Sequence, residues 1–503
     1  QRSWPHLPML VNRTLSMRTI NQLFLTLKFL TIVIGLFLGF SVSGRAADRP
    51  NILWIIAEDM SQDLACYGNP LVATPNIDGL AEKGMLFHRM FTTGPACSPS
   101  RTALATGVYQ TTLGAIHMRY SDELLPELPK PYKILPELMR GQGYFTGNIK
   151  AFSKTGTGKD DWLFQTDQKA WDTDSWNELK NNQPFYGQIN FKESHRVFKG
   201  NPRHPIDPDD VTLPPYYPDH LVARQDWADY FGDVITADEH VGDILEQLKR
   251  DGLDNNTIVI FISDHGRPMM RAKNWLYDSG TLIPMVIYIP DGVKAPNGFT
   301  KGGENTELLS AVDLVAETLL MAGGKIPEWM QGRSFLRRDS EAREFLYTAV
   351  DRIGQFESQS RAVRTDRFKY IRNFKIPGSV NETSTAYRRS THPIHHLLNI
   401  MGEKRLLTPA QEQLLRPIAS EELYDLENDP HEVVNLAGDP DYESTRSMLA
   451  DNLTAWIKSS GDRGFEKDSE AIVKHFYEYG ISTTERSAAA IEKQRRVVEA
   501  HFE

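Results

Sequence analysis

Unbroken apolar runs, rather than alternating ones, mark the first two thirds of the chain. Asn51-Ile52-Leu53-Trp54-Ile55-Ile56-Ala57 and the Val/Ile/Phe-rich stretch 257–262 have almost no polar face. That is the pattern of strands buried on both sides of a parallel sheet. Stretches 85–92, 144–149, 185–191 and 284–289 read as further strands. Between them, 3.6-residue periodicity predicts helices after Thr74-Pro75, from Cys97, and over 132–140, 219–250 and 310–322. Pro sits at one start, and Gly141, Gly252 and Gly323 sit at stops. Strands alternating with helices predict an α/β fold with a central, mostly parallel sheet sandwiched by helices.

Near residue 337 the texture changes. Segments 344–350, 361–365 and 368–373 are shorter strands separated by turns, 423–430 adds a strand and turn, and 442–458 is helical. The expected division is therefore a leader over 1–47, a catalytic domain over 48–337, a smaller C-terminal α+β domain with an antiparallel sheet over 338–460, and a helical tail over 461–503. The charged amphipathic stretch 483–503 reads as surface packing. Met17-Arg18 followed by the 14-residue apolar run 29–42 and Gly44-Arg45-Ala46 has the layout of a secretion signal. The expectation is an exported, periplasmic or extracellular protein with no stable membrane span after cleavage. An uncleaved anchor is the alternative, although the run is short for one.

Composition narrows the function class. With 40% hydrophobic and 24% charged residues the chain is an ordinary folded protein, and a net charge of −10 argues against nucleic acid as the main partner. Two cysteines, Cys66 and Cys97, exclude a disulfide framework.

Cys97 is the more informative one. It lies in Cys97-Ser98-Pro99-Ser100-Arg101 at a helix start, where the helix dipole favours an attacking oxyanion and an anionic substrate. The first buried strand ends in Glu58-Asp59 and a second in Ser263-Asp264-His265-Gly266. Open α/β sheets place ligands at strand C-termini, and carboxylates gathered there demand a cation. Oxygen-rich ligation favours Ca2+, with Mg2+ second.

The Cys97 to Gly107 segment resembles the signature of the sulfatase family, of alkaline-phosphatase-like fold. Glu58-Asp59, Thr74-Pro75-Asn76-Ile77-Asp78, Ser263 to Gly266 and Leu423 to Pro430 follow in the family's order. Thr112 to Arg119 and Leu213 to Asp219 look most like the heparan N-sulfatase branch. The resemblance implies that a formylglycine-generating or sulfatase-maturing enzyme oxidises Cys97 to formylglycine. It implies metal ligation by Glu58, Asp59, Asp264 and His265 together with position 97. It gives Arg101, Lys150, His195 and Lys273 catalytic roles, and makes His117 and Arg119 candidates to read a sulfated carbohydrate. Three positions depart from the family pattern: Glu58 stands for the usual Asp, His265 for a frequent Asn, and Phe152 for a frequent His. The implied activity is hydrolysis of sulfate esters or sulfamates of a sulfated glycan. A phosphoric or phosphonic monoester hydrolase of the same superfamily and an unmatured secreted carbohydrate-binding protein are the alternatives.

Overall fold

The computed structural model describes residues 49–503 apart from 120, 151, 153–155, 167–168 and 353. The expected leader lies outside the described residues. In chain order, the strands of the large sheet are β1 (Asn51–Ala57), β2 (Met85–Phe91), β3 (Phe145–Ile149), β4 (Phe185–Phe191), β5 (Thr257–Ser263), β6 (Leu282–Tyr288), β7 (Gly303–Asn305) and β8 (Leu309–Ser310). They line up as β3-β4-β1-β5-β6-β2-β7, with β8 also on β2. Only β6 runs against its neighbours, pairing antiparallel with both β5 and β2, so the sheet is mostly parallel, as expected.

All seven residues of β1 are buried because both of its faces are covered. Leu53, Ile55 and Ala57 pack into one core with Val234, Val241 and Ile244 of the long helix Leu221–Arg250. Ile52, Trp54 and Ile56 enter a second core with Leu314, Val315 and Leu319 of the helix Ala311–Met321. Each such side chain contributes about 1.5–3 kcal/mol on burial, which is why the run carries no polar position. The long helix starts where the His220 side chain accepts from the Val222 N–H, and ends ahead of Gly252 at φ +69°.

A second, antiparallel sheet of order β12-β11-β10-β9 comprises β9 (Leu346–Val350), β10 (Gln359–Arg364), β11 (Phe368–Lys375) and β12 (Glu421–Asp425). Leu449, Leu453 and Trp456 of the helix Glu443–Ser459 pack with its Val363, Tyr370 and Leu423. The change of texture near 337 falls between Met321 and β9. Arg49–Glu503 nevertheless form one compact unit. Two features refine the expected layout. Helices Ala386–Thr391 and Pro393–Glu403 fill the stretch between β11 and β12, and the tail is one helix, Glu470–Glu499, beginning thirteen residues before the expected 483.

Candidate active site

Register brings the chemistry together. Ala57 at the end of β1 pairs with Phe191 of β4 on one side and with Ser263 of β5 on the other. Three segments therefore leave the sheet at one level: Glu58-Asp59, Lys192 to His195, and Asp264-His265. The chain turns at Asp59, at φ +54°, a left-handed conformation that a short polar side chain tolerates better than most. The turn is held by Asp59 N–H donating to Asp264 Oδ1 (3.0 Å) and Met60 N–H donating to Ser263 Oγ (2.9 Å). Gly266 follows because a Cβ there would lie 2.4 Å from the Ser279 carbonyl oxygen.

The helix Cys97–Thr106 is buried along its whole length and has no side-chain cap at its N-terminus. It starts at Cys97 and stops at Gly107 (φ +71°). The Cys97 Sγ lies 3.8 Å from Asp59 Oδ1, 3.4 Å from His265 Nε2 and 3.4 Å from Lys273 Nζ. Lys273 Nζ also donates to Asp59 Oδ2 at 2.6 Å and stands 3.5 Å from His195 Nε2. The loop carrying Lys273 is pinned by Asn274 N–H to the Pro95 carbonyl (2.6 Å) and by Arg388 to the Lys273 carbonyl. Arg101, one turn into the helix, donates through Nε to Asp264 Oδ2 (2.9 Å) and through Nη1 to Asn190 Oδ1 (2.7 Å).

Asp59, Cys97, Asp264 and His265 offer donor atoms that all lie within 4.8 Å of one another, and all four are buried. Burial alone would raise the Asp59 carboxyl, but Lys273, His195 and His265 outweigh it and hold it well below the usual carboxylate range. Burial is likewise overcome at Asp264, where Arg101 and His265 bring the carboxyl down to about 2. At His265 burial opposes the charged form, yet Asp59 and Asp264 push the imidazole up to about 10. Two buried carboxylates are thus balanced by the His265 ring and the Lys273 ammonium, and a divalent cation meets the same electrostatic demand. The His265 ring faces the Gly266 carbonyl through Nδ1 (2.8 Å). The tautomer protonated at Nδ1 leaves the Nε2 lone pair toward Asp59 for a metal. The donor set fits a metal ion.

Two sequence-derived candidates for this centre are placed otherwise. Glu58 is buried but stands outside the four-donor group: its Oε2 accepts from Lys159 Nζ (2.9 Å), and its Oε1 is 3.9 Å from Arg101 Nη2. Lys150 does not reach the centre. Its side chain is 60% exposed and pairs with Asp174 at 3.3 Å. Lys150 and Thr157 form an antiparallel bridge, and a Cβ at Gly158 (φ +61°) would lie 2.4 Å from Lys150 Cγ, while the Lys150 side chain stays outside. The same turn carries Lys159 inward, where it lines the nucleophile cavity with Asp59, Cys97, His195 and Lys273. The Gly-Thr-Gly-Lys spacing of 156–159 was the available signal for that lysine.

Of the two proposed substrate readers, Arg119 lines the cavity with its guanidinium on Asp161 (2.9 and 2.9 Å). His117 faces elsewhere: its Nε2 is 2.7 Å from Asp468 Oδ1, and its ring packs edge-on against Phe476. Arg352 donates to the other Asp468 oxygen (2.8 Å). His117 thereby ties the segment just past the nucleophile helix to the start of Glu470–Glu499. That helix is more than surface packing. Its His475, Phe476, Tyr479 and Thr483 wall the nucleophile cavity of about 330 Å3, together with Tyr387 and Arg388. Ile472, Phe476 and Tyr479 sit at helical spacing, a stripe that marks the face turned toward the cavity, on which Phe476 is buried.

The sulfatase family model matches residues 50–324, and that of the N-sulphoglucosamine sulphohydrolase C-terminal region matches 269–405. An ulvan-active sulfatase of Formosa agariphila is 31% identical over 86% of this chain and 78% of its own length. Human N-sulphoglucosamine sulphohydrolase is 27% identical over 82% of this chain and 91% of its own. Among solved structures, a complex with D-glucosamine-2-N,6-O-disulfate superposes with a TM-score of 0.59 at 18% identity, covering 84% of this chain and 100% of that one. The phosphonate monoester hydrolase of Agrobacterium radiobacter gives 0.60 at 18% identity, covering 84% and 99%. With more than half of its length matched by the family model, and a buried Cys-Pro-Arg helix start facing acidic strand ends, the chain belongs to the sulfatase family and is a sulfuric ester hydrolase.

Proposed function

We propose that the protein is an exported sulfatase that removes sulfate, as ester or sulfamate, from a sulfated glycan. The observation that carries this reading is the convergence of Asp59, Asp264, His265 and Lys273 on position 97 at an uncapped helix start. The glycan assignment is supported by the relatives named for ulvan and for N-sulphoglucosamine, and by the match to the N-sulphoglucosamine sulphohydrolase C-terminal model. Export is supported by the leader-like run 29–42.

Formylglycine at position 97 supplies an oxygen nucleophile, and one divalent cation, Ca2+ first and Mg2+ second, held by Asp59, Asp264 and His265 supplies charge neutralisation. The residues of the chain do the rest. Lys273 and Lys159, held by Asp59 and Glu58, present two ammonium groups to an anion in the cavity. Arg101 fixes the Asp264 carboxylate, and its Nη2 is left without a hydrogen-bond partner among the described residues. His195, partly exposed on the cavity wall with Nδ1 against the Arg196 carbonyl (2.7 Å), carries at Nε2 the proton that the leaving oxygen or nitrogen takes. Tyr479, Tyr387 and Arg119 shape the space for the sugar.

The test measures release of sulfate from p-nitrophenyl sulfate, N-sulfoglucosamine and ulvan oligosaccharides beside matched phosphate and phosphonate esters, with and without chelator. Sulfate release at least about tenfold faster than phosphate release, a difference of roughly 1.4 kcal/mol in barrier, and loss of it with chelator are expected. Preference for phosphate or phosphonate esters would overturn the reading. So would glycan binding with no release.

A further inference from the structure

Beside the nucleophile cavity lies a larger cleft of about 1080 Å3, and the two share Arg119, Lys159 and His195 as common wall. The cleft runs along the segment that follows β4 and is floored by Asp233 of the long helix. Its cations fall into two groups. Arg119 is tied to Asp161, Lys159 to Glu58, Arg196 to Asp226 (2.7 and 2.6 Å), and Arg203 to Glu239. Lys192 and Lys199 are exposed, and among the described residues neither ammonium has an ion-pair partner. The acidic groups of the same cleft have contacts of their own. Glu193 faces His240 at 3.5 Å, and burial brings the Asp233 carboxyl up to about 7 while it accepts the Lys199 N–H at 3.0 Å.

On a chain of net charge −10, Lys192 and Lys199 are two cations without an ion-pair partner among the described residues in a concavity, where the field of exposed charges is focused. The nucleophile cavity measures about 330 Å3, and a space about three times larger opens from it along Arg119, Lys159 and His195. We infer that the cleft holds the continuation of an anionic glycan chain, with Lys192 and Lys199 engaging a sulfate or carboxylate on a sugar beyond the one that loses its sulfate. The inference rests on the glycan-sulfatase reading and narrows it: the substrate is an oligomer rather than a free monosaccharide. Exposed Val197 (68%) on the cleft rim offers an apolar contact for a sugar face.

The experiment measures binding of fluorescent heparin-derived and ulvan-derived octasaccharides to the full chain and to Lys192→Gln/Lys199→Gln and Lys192→Glu/Lys199→Glu, over a range of NaCl. Thermal unfolding of each variant verifies the fold. The neutral pair should weaken binding of at least one octasaccharide by about fivefold to tenfold at low salt, the acidic pair by more, and the differences should close at high salt where exposed charges are screened. Variants that bind like the wild type overturn the inference, as does a wild-type chain that holds neither octasaccharide at low salt. Turnover of p-nitrophenyl sulfate is read separately. Its absence from the wild type would count against the sulfatase reading, while the binding comparison would still decide the cleft.

Discussion

The Lys273 ammonium lies 2.6 Å from Asp59 Oδ2 while standing 3.4 Å from the Cys97 Sγ. One cation thus faces both a carboxylate of the proposed metal pocket and the nucleophile position. Burial opposes its charge, but Asp59 and Cys97 raise its affinity for the proton above the ordinary lysine value, which favours the ammonium form. Lys273→Ala removes a pre-positioned donor and should lower kcat by about 10²–10³-fold. Lys273→Arg should not restore it, since a planar fork does not replace a point charge in this space. Steady-state kinetics on an aryl sulfate checks both; near-normal kcat in the alanine variant would remove Lys273 from the mechanism.

Two lysines of the same loop make opposite predictions. Lys159, buried against Glu58, faces the cavity, and Lys150 lies outside on Asp174. Lys159→Ala should cost about 10²-fold in kcat, whereas Lys150→Ala should change it by less than about twofold. The reverse order would show that the loop packs differently around the substrate.

The four-donor group should bind metal tightly enough to stabilise the fold. Chelation should abolish turnover and lower the unfolding temperature, and added Ca2+ should restore both in a concentration-dependent way. Asp264→Asn, which also strips Arg101 of its carboxylate, should lose this response. Elemental analysis of the active enzyme should find one equivalent of a divalent ion.

Asp233 gives a pH dependence of stability. Burial, followed by the neighbouring Asp229 charge, raises its carboxyl to about 7 in the folded chain, against an unfolded value of about 3.9. A folded value above the unfolded one means that its contribution is fully present below about pH 4 and is lost as pH rises through 7. Asp233→Asn should therefore gain in unfolding temperature relative to wild type on going from pH 5 to pH 8. A difference that shrinks or stays flat would contradict the raised value.

Much of this architecture was legible before any coordinates. The runs at 51–57 and 257–262 declared themselves because strands buried on both faces admit no polar residue. Asp59 and Asp264 followed from their places at strand ends, and Cys97 from its Cys97-Ser98-Pro99-Ser100-Arg101 resemblance to the sulfatase signature. What failed was the fate of side chains in loops. Lys150 was placed at the centre by the resemblance, and the tertiary packing puts Lys159 there instead, with Lys150 out on Asp174. His117 was read as a substrate contact because nothing local discloses its partner Asp468, some 350 residues away in sequence. The stretch 483–503 was assigned to the surface because it is charged and amphipathic. Only the narrow stripe at 472, 476 and 479 betrays the face that closes the cavity.

The central claim is that position 97 acts as formylglycine. Peptide mass spectrometry of a preparation that is turning over a sulfate ester tests it most directly. The fragment containing residue 97 should carry the aldehyde or its hydrate in proportion to specific activity across preparations, and Cys97→Ala should be inactive. A fully active preparation whose peptide shows only the unmodified thiol would contradict it.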